Sequence, residues 1–345
     1  MSKEMNRRDF LKTAAVTGTI FLTADMLKRA AFAQGTIKIP EAENVTITII
    51  TDNYYETTRP SYKIANRYSG SSFYAEHGIA CHVETVVDGR SHALLFDFGP
   101  TFSGLSSNMD TLKIGLDRLE ALALSHGHRD HCGGLVELLK SRKEKIPKGI
   151  PLYVGEEAFS ERGSGKRPDD VRVTHRPPKR EELEGLGFVK IVEIKDPTPI
   201  ASGAYLTGRI ERVTEYEKVD PQRWVRKGDT FEPENFIGEQ SVVLNLKGKG
   251  LVVLTGCAHV GVVNTVRHAQ KITGVRKVHA IMGGFHLTGA KQEIIQRTVA
   301  GIKATAPDYI MPMHCTGFEA MGALAKEMPN QFILNTVGAK YIFTS

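Results

Sequence analysis

The sequence predicts an α/β fold, an αββα sandwich of two mixed β-sheets packed face to face and flanked by helices. Three observations carry this. Short β-branched or apolar runs recur through two halves of the chain, separated by turn residues. Helix-like segments follow strands within each half, the pattern of sheets covered by helices. Several of the apolar runs end in a glycine- or proline-bearing loop that carries a histidine, so the functional loops gather at one edge of the sandwich.

The elements follow in order. "NVTITIITDN" is a β-branched strand that ends at a turn near Asn53. "GIACHVETVV" and "HALLFDFG" are two strands joined by an Asp88-Gly89 turn. "LEALALSH" is a short buried strand running into a histidine cluster, and "GGLVELLKSRKEK" is helical, with Leu135, Val136, Leu138 and Leu139 on one side. "IPLYVG" is a strand. Residues 157–186 are polar and rich in Arg, Lys, Glu, Pro and Gly, which reads as a surface insertion. The second β series comprises "FVKIVEI", "GAYLTGRIER" and "QSVVLNLKGKGLVVLTG", the last folding about its "KGKG" turn. Helical "VVNTVRHAQKIT" leads to strand "VHAIMGGF", and helical "AKQEIIQRTVAGIKAT" leads to strand "YIMPMH". No internal repeat is evident.

The chain has 345 residues, 41% hydrophobic and 24% charged, ordinary for a soluble globular protein. The net charge is +6. The first 33 residues hold six Lys/Arg against three acids and supply half of it. The +3 left on the body of the chain argues against a nucleic-acid partner. The segment itself, "NRRDFLKTAAVTGTIFLTADMLKRAAFAQ", pairs Arg7 and Arg8 ahead of a mildly apolar run. It ends with Ala31 and Ala33 before Gln34. This resembles a twin-arginine export signal over residues 1–33. It implies the twin-arginine machinery as a partner, a periplasmic location, and one domain over residues 34–345. Thr17, Thr19, Thr23 and Asp25 make the run too polar for a stable membrane span. Four cysteines are too few for a disulfide framework. Cys132, Cys257 and Cys315 sit in or beside histidine motifs, and Cys81 lies in an apolar strand.

The chemistry concentrates in "SHGHRDHCGGL", which packs His126, His128, Asp130 and His131 into six positions. Imidazole and carboxylate together suit Zn, Fe or Mn. Gly127, Gly133 and Gly134 let the backbone bend around an ion. One divalent ion takes His126 and His128, and a second takes Asp130 and His131. Two ions about 3.5–4 Å apart polarise a substrate oxygen and generate a hydroxide. Each ion needs further ligands. Three later strand ends deliver a histidine: "LTGCAHVG" gives His259, "MGGFHL" gives His286 and "MPMHCTG" gives His314. His82, His92, His175, His268 and His279 lack such a setting and read as structural or exposed. The basic stretch 162–180, with Arg162 and Arg172 among its cations, could recruit a phosphorylated substrate. Nearby Glu161, Asp169 and Asp170 favour a solvated loop instead.

These motifs resemble the metallo-β-lactamase-fold superfamily, whose mark is H-x-H-x-D-H after an apolar strand. "EHG", "FDFG", "TGCAHVG", "GGFHL" and "HCTG" narrow the resemblance to the subgroup named after an archaeal dihydropterin–ribofuranosylaminobenzene phosphate synthase. It spans about residues 44–343 and implies an αββα fold with a dinuclear centre. His126, His128, Asp130 and His131 match the superfamily motif, and His314 matches its last histidine. Where typical hydrolases carry a bridging aspartate after "TG", this chain has Cys257. His259 is the favoured ligand there and Cys257 the weaker candidate. The usual middle histidine has no match; "AYLTGRIER" occupies its place, and Arg212 is a candidate contact for an anionic substrate. His286 is a candidate substrate contact or proton donor, and Asp97 a support for a ligand histidine. Asn53, Glu76 and His77 are candidates to line the pocket or to hold a turn.

The expectation is an exported dinuclear hydrolase, with two divalent ions, zinc first and iron or manganese as alternatives. A metal-bound hydroxide would attack an ester, phosphoester or lactone-type substrate, a small molecule, with anionic ones among the candidates. The rival expectations are a transferase like the subgroup's founding synthase, and a di-iron redox or ferroxidase-like protein.

Overall fold

The computed structural model describes residues 36–68 and 72–345. The predicted export signal lies outside the described residues. Two large sheets form the body. One has eight strands in the spatial order Val189–Ile194, Ile150–Gly155, Leu119–Ala123, Arg90–Phe96, Ala80–Val87, Asn44–Thr51, Lys340–Thr344 and Ala65–Asn66. The other has seven, ordered Thr198–Ala201, Ala204–Leu206, Val242–Leu246, Gly250–Thr255, Val278–Gly284 and Tyr309–Met313, with Glu41–Ala42 pairing alongside Val242–Leu246.

Strand alternation sorts the side chains into layers, because successive residues face opposite sides of a sheet. Val45, Ile47, Ile49, Leu94 and Phe96 point inward and meet Leu244, Val252, Leu254, Met282 and Met311 of the other sheet. Ile50, Leu95, Leu119 and Leu122 point outward and pack with Leu105, Leu135, Leu138 and Leu183. Those partners lie on the helices Phe102–Leu112, Leu135–Ser141 and Arg180–Glu184. On the far side Val243, Leu251, Val253 and Ile281 pack with Val266, Val299 and Leu324. These come from the helices Val262–Thr273, Gln292–Ala304 and Phe318–Glu327. Three apolar clusters are the three interfaces of a four-layer αββα stack, as the sequence predicts.

Local signals explain the ends. Asp88 and Gly89 both have positive φ, 49° and 70°, the conformation a two-residue hairpin needs. The Thr101 hydroxyl caps the Phe102–Leu112 helix by accepting from the Gly104 N–H. The Glu217 carboxylate accepts from the N–H groups of Val263 and Asn264 and so caps the Val262–Thr273 helix from a distant loop.

Two expectations change. "GAYLTGRIER" is a strand only over Ala204–Leu206 and then leaves the sheet. Residues 157–186 are not a simple surface loop. Arg162–Ser164 and Arg172–His175 join Arg223–Lys227 and Thr230–Pro233 in a separate four-stranded antiparallel sheet, ordered 230–233, 223–227, 162–164, 172–175. The two halves of this sheet are nearly 50 residues apart in sequence, and each alone is too short to show a clear alternation. Among the described residues no helix is long and apolar enough to cross a membrane.

Candidate metal centre

Parallel pairing fixes where the centre lies. Arg90–Phe96 runs parallel to Leu119–Ala123, and Gly250–Thr255, Val278–Gly284 and Tyr309–Met313 run parallel to one another. Their C-terminal ends therefore share one edge, the usual place for ligands in such sheets. Asp97, His126, Cys257, His286 and His314 all follow those ends within three residues.

Two donor groups form there. His126, His128 and His259 make one; Asp130, His131, Cys257 and His314 make the other. In the first, the Nε2 atoms of His126 and His259 are 3.2 Å apart. Two nitrogens each ~2.0–2.1 Å from a tetrahedral ion sit roughly 3.3 Å apart. In the second, Cys257 Sγ lies 3.0 Å from His131 Nε2 and 3.3 Å from His314 Nε2. Asp130 Oδ2 lies 3.2 Å from His314 Nε2 and 3.6 Å from His131 Nε2. Cys257 thus stands with the Asp130 group and His259 with the first, so the two residues contribute to different groups rather than competing.

The donors fit cations. Burial pushes the imidazoles of His126, His128 and His259 well below the ordinary histidine range, so they are neutral near pH 7 with lone pairs free to ligate. Burial also raises the Asp130 carboxyl, but His131 and His314 outweigh it and hold it below the usual carboxylate range. Asp130 Oδ1 is buried and has no hydrogen-bond partner among the described residues. Neutral imidazoles packed nitrogen to nitrogen, with a charged carboxylate beside them, form donor sets that could hold divalent ions.

A shell of polar groups orients the donors. The His131 Nδ1–H donates to Asp97 Oδ2 at 2.6 Å. Asp97 Oδ1 accepts from the Ser125 N–H at 2.7 Å, and Oδ2 accepts from the Ser125 hydroxyl at 2.7 Å. Ser125 Oγ also lies 3.0 Å from His126 Nδ1. Asn53 Oδ1 lies 3.2 Å from His314 Nδ1, and the Asn53 amide donates to the His314 carbonyl at 3.1 Å. With Nδ1 engaged in each case, Nε2 of His126, His131 and His314 faces the donor groups. Two buried carboxylates hold the ligand loops by their backbones. Asp52 accepts from the His314 N–H. Glu239 accepts from the N–H groups of His259 and Val260.

The four-stranded sheet closes over His128. Arg162, 3% exposed, is the opposite of a solvated cation. It pairs with the Glu234 carboxylate and donates to the carbonyls of Ser160 and Glu157. Glu234 Oε2 lies 3.9 Å from His128 Nε2, and neither atom has a hydrogen-bond partner among the described residues. The His175 ring stacks on His128 at 4.2 Å, so its reading as a histidine outside the site is corrected. Phe236 stacks on His259 at 3.9 Å. Gly127 permits this closure: a Cβ there would collide with the Ala158 carbonyl and approach the Arg162 guanidinium.

Other candidates separate. His77 stands at the rim, half exposed, with Nε2 3.8 Å from Asp130 Oδ2 and Nδ1 3.1 Å from the Asn53 amide. His286 packs its ring 3.9 Å from His259 and hydrogen-bonds Cys315. Glu76 turns away: it accepts from the Thr101 hydroxyl at 2.6 Å and supports a helix cap. Arg212 is exposed and donates to the Asn235 carbonyl rather than lining the centre. Arg223 takes the position expected of it, lining a cleft of about 660 Å³ with Phe236, His259, His286, Lys218 and Lys291. A second cavity of about 540 Å³ adjoins His77, Asn53 and His314 and is walled by Phe318, Met321 and Phe332. Sequence reading missed Asp52, Arg162, His175, Arg223, Glu234, Phe236 and Glu239. Only Asp52 carries a visible signal, a carboxylate directly after an apolar strand, as for Asp97.

The fold and centre define a metallo-β-lactamase-fold protein with His, Asp and Cys clusters that could bind metal. Residues 85–214 match the model of the metallo-beta-lactamase superfamily. The 7,8-dihydropterin-6-methyl-4-(beta-D-ribofuranosyl)-aminobenzene-5'-phosphate synthase of Methanocaldococcus jannaschii is 29% identical over 279 residues, 79% of this chain and 92% of the relative. An uncharacterized protein of the same organism is 29% identical over 270 residues, 77% of this chain and 93% of its own. The crystal structure of Tm1679, a metal-dependent hydrolase of the beta-lactamase superfamily, superposes with a TM-score of 0.67 at 24% identity. It covers 87% of this chain and 100% of that one.

Proposed function

We propose that the protein is a dinuclear metal-dependent hydrolase acting on an ester, phosphoester or lactone-type substrate. The observation that carries this is the pair of adjoining donor groups, one of three neutral imidazoles and one anionic through Asp130. When bound, two divalent ions activate a water and polarise the substrate oxygen. Asp130 divides its work between its oxygens. Oδ2 faces His131 and His314, while Oδ1, without a hydrogen-bond partner among the described residues, can accept a hydrogen bond from the attacking water and orient it. His286 borders the cleft on the side of His259 and stands where a leaving group can be protonated. Burial lowers the His286 imidazole, but Cys315 and Glu239 outweigh it and raise it above the ordinary range, which suits a proton donor. Lys218, Arg223 and Lys291 outnumber Glu217 and Asp220 in the cleft lining by one charge, a slight bias toward an anionic substrate.

The test is turnover by zinc-loaded protein of a panel of aryl phosphodiesters, lactones and β-lactams, compared with His126→Ala and Asp130→Asn. Retention of both metal and turnover in those variants would sink the reading. A second reading, transfer of a group from a diphosphate to an aromatic amine, is favoured by the likeness to the 29% identical synthase of Methanocaldococcus jannaschii. Formation of a carbon–nitrogen product from such a pair of substrates, with no hydrolysis of the panel, would select it. Arg7, Arg8 and the Ala31–Ala33 pattern support export to the periplasm before the protein acts. Export is tested by fractionation after Arg7→Lys/Arg8→Lys.

A further inference from the structure

Cys315 is a buried nucleophilic group that the proposed hydrolysis does not use. Its Sγ lies 3.3 Å from Cys257 Sγ, far beyond the ~2.05 Å of a disulfide bond. Cys257 Sγ, Cys315 Sγ and a His286 ring nitrogen all fall within 4.8 Å of one another, a third donor group beside the two already described. The backbone clears space for it. A Cβ on Gly284 would lie 2.5 Å from the Gly256 carbonyl oxygen, 2.8 Å from Cys315 Sγ and 3.2 Å from Cys257 Cα, so glycine is what lets these loops pack this closely. The residues beside the donors also bear strain. Ala258, His286 and His314 have φ of 56°, 46° and 50°, a region that non-glycine residues hold only when their surroundings impose it. The Cys315 carbonyl is fixed by the N–H groups of Leu287 and Thr288, which ties the Cys315 loop to the His286 loop.

We propose that Cys257, Cys315 and His286 form a sulfur-rich site for a thiophilic ion, such as Cd(II) or Cu(I), overlapping the Asp130 group through Cys257. The donors decide the class of ion. Two sulfurs and one imidazole are soft, whereas Asp130 with two imidazoles is a harder set suited to Zn, Fe or Mn. Two thiolates also cancel the charge of one divalent ion without a carboxylate, and loading releases the thiol protons. Because Cys257 serves both sets, a soft ion withdraws a donor from the Asp130 group. The edge of the sandwich therefore sorts ions by softness within one cluster.

The experiment titrates reduced, metal-free, full-length protein with Cd(II) under anaerobic conditions and reads the ultraviolet thiolate-to-cadmium band. Zn(II) stoichiometry is measured in parallel. In the wild type the band corresponds to two sulfurs. Cys315→Ser is expected to halve the band and weaken Cd(II) binding ~10-fold or more, while Zn(II) stoichiometry stays as in the wild type. A Cys315→Ser protein with the wild-type band, or with Zn(II) and Cd(II) lost together, overturns the proposal. X-ray absorption on the wild-type Cd(II) complex needs no variant: two sulfur neighbours support the site, one or none refutes it. Zinc-dependent turnover is a separate readout, so failure of the hydrolase reading leaves this result interpretable.

Discussion

Asp97→Asn isolates how one carboxylate outside the donor groups governs an ion inside them. Asp97 is buried, and its side chain makes three short hydrogen bonds, to the His131 imidazole, the Ser125 amide and the Ser125 hydroxyl. Its φ of 59° is left-handed, a conformation that Asn tolerates as well as Asp, so the exchange adds no backbone strain. Asn Oδ1 still accepts from the Ser125 N–H. The new amide nitrogen, facing His131 Nδ1, is a donor where an acceptor stood. His131 must then accept at Nδ1 and carry its proton on Nε2, the atom 3.0 Å from Cys257 Sγ that faces the Asp130 donor group. Changes to such supporting groups cost about 10–100-fold in metal affinity. That corresponds to about 1.4–2.8 kcal/mol on the Asp130 ion alone. Competition with a coloured chelator reads both binding steps. One step should weaken in that range, and the His126–His128–His259 step should hold within about 3-fold. Equal weakening of both steps, or of neither, refutes the tautomer argument.

Three further outcomes follow from the same geometry. Glu234→Ala leaves the buried Arg162 guanidinium without its carboxylate, and loss of one partner from a buried pair costs about 3–5 kcal/mol. Urea unfolding of metal-free protein measures it, and a change below about 1 kcal/mol would contradict the buried pairing. Burial raises the Glu239 carboxyl to about 7, well above its unfolded value, despite the backbone N–H groups it receives. The folded state then binds this proton more tightly than the unfolded chain. Its contribution to stability is full at acid pH and declines as pH climbs from about 4.5 to 7. Glu239→Gln should flatten that slope in metal-free protein; an unchanged slope would assign it to other groups. Removing metal with a chelator should lower the melting temperature, since ions at about 1,000 times their Kd contribute about 4 kcal/mol per site. Coincident melts with and without chelator would mean that the donor groups stand unsupported by ions.

The layers were legible because period-2 alternation and helical periodicity act over neighbouring residues. Val45, Ile47 and Ile49 face one way and Ile50 the other in the sequence as in the fold. The donors were legible for a related reason. Each lies on the segment that leaves the end of an apolar strand, and parallel pairing turns that repeated local pattern into a shared edge. What holds the donors was not legible, because it depends on distant pairings. Asp52 and His314 meet across 262 positions, and Glu234 reaches Arg162 across 72. The short strands that bring Arg162, His175 and Glu234 over His128 are too brief and too polar to declare themselves. The basic composition of residues 162–180 pointed to solvent, yet its first arginine is buried, because a charge paired and hydrogen-bonded on every side can leave water.

That closure gives the cysteine at the aspartate's place a physical setting. A carboxylate can bridge two ions through separate oxygens, whereas a thiolate offers one soft atom. With Cys257 in that position, the first group is three neutral imidazoles without an anion of its own. The added sheet brings Glu234 beside it, held by Arg162 with Oε2 3.9 Å from His128 Nε2. The Asp130 group keeps a carboxylate and gains the sulfur, and Cys315 stands beside that sulfur. The two halves of the centre therefore differ in charge and softness more than a shared bridging carboxylate would allow. Ion binding at this edge should be asymmetric, with neutral donors alone in the imidazole group and a carboxylate and a thiol sulfur among the donors of the Asp130–Cys257 group.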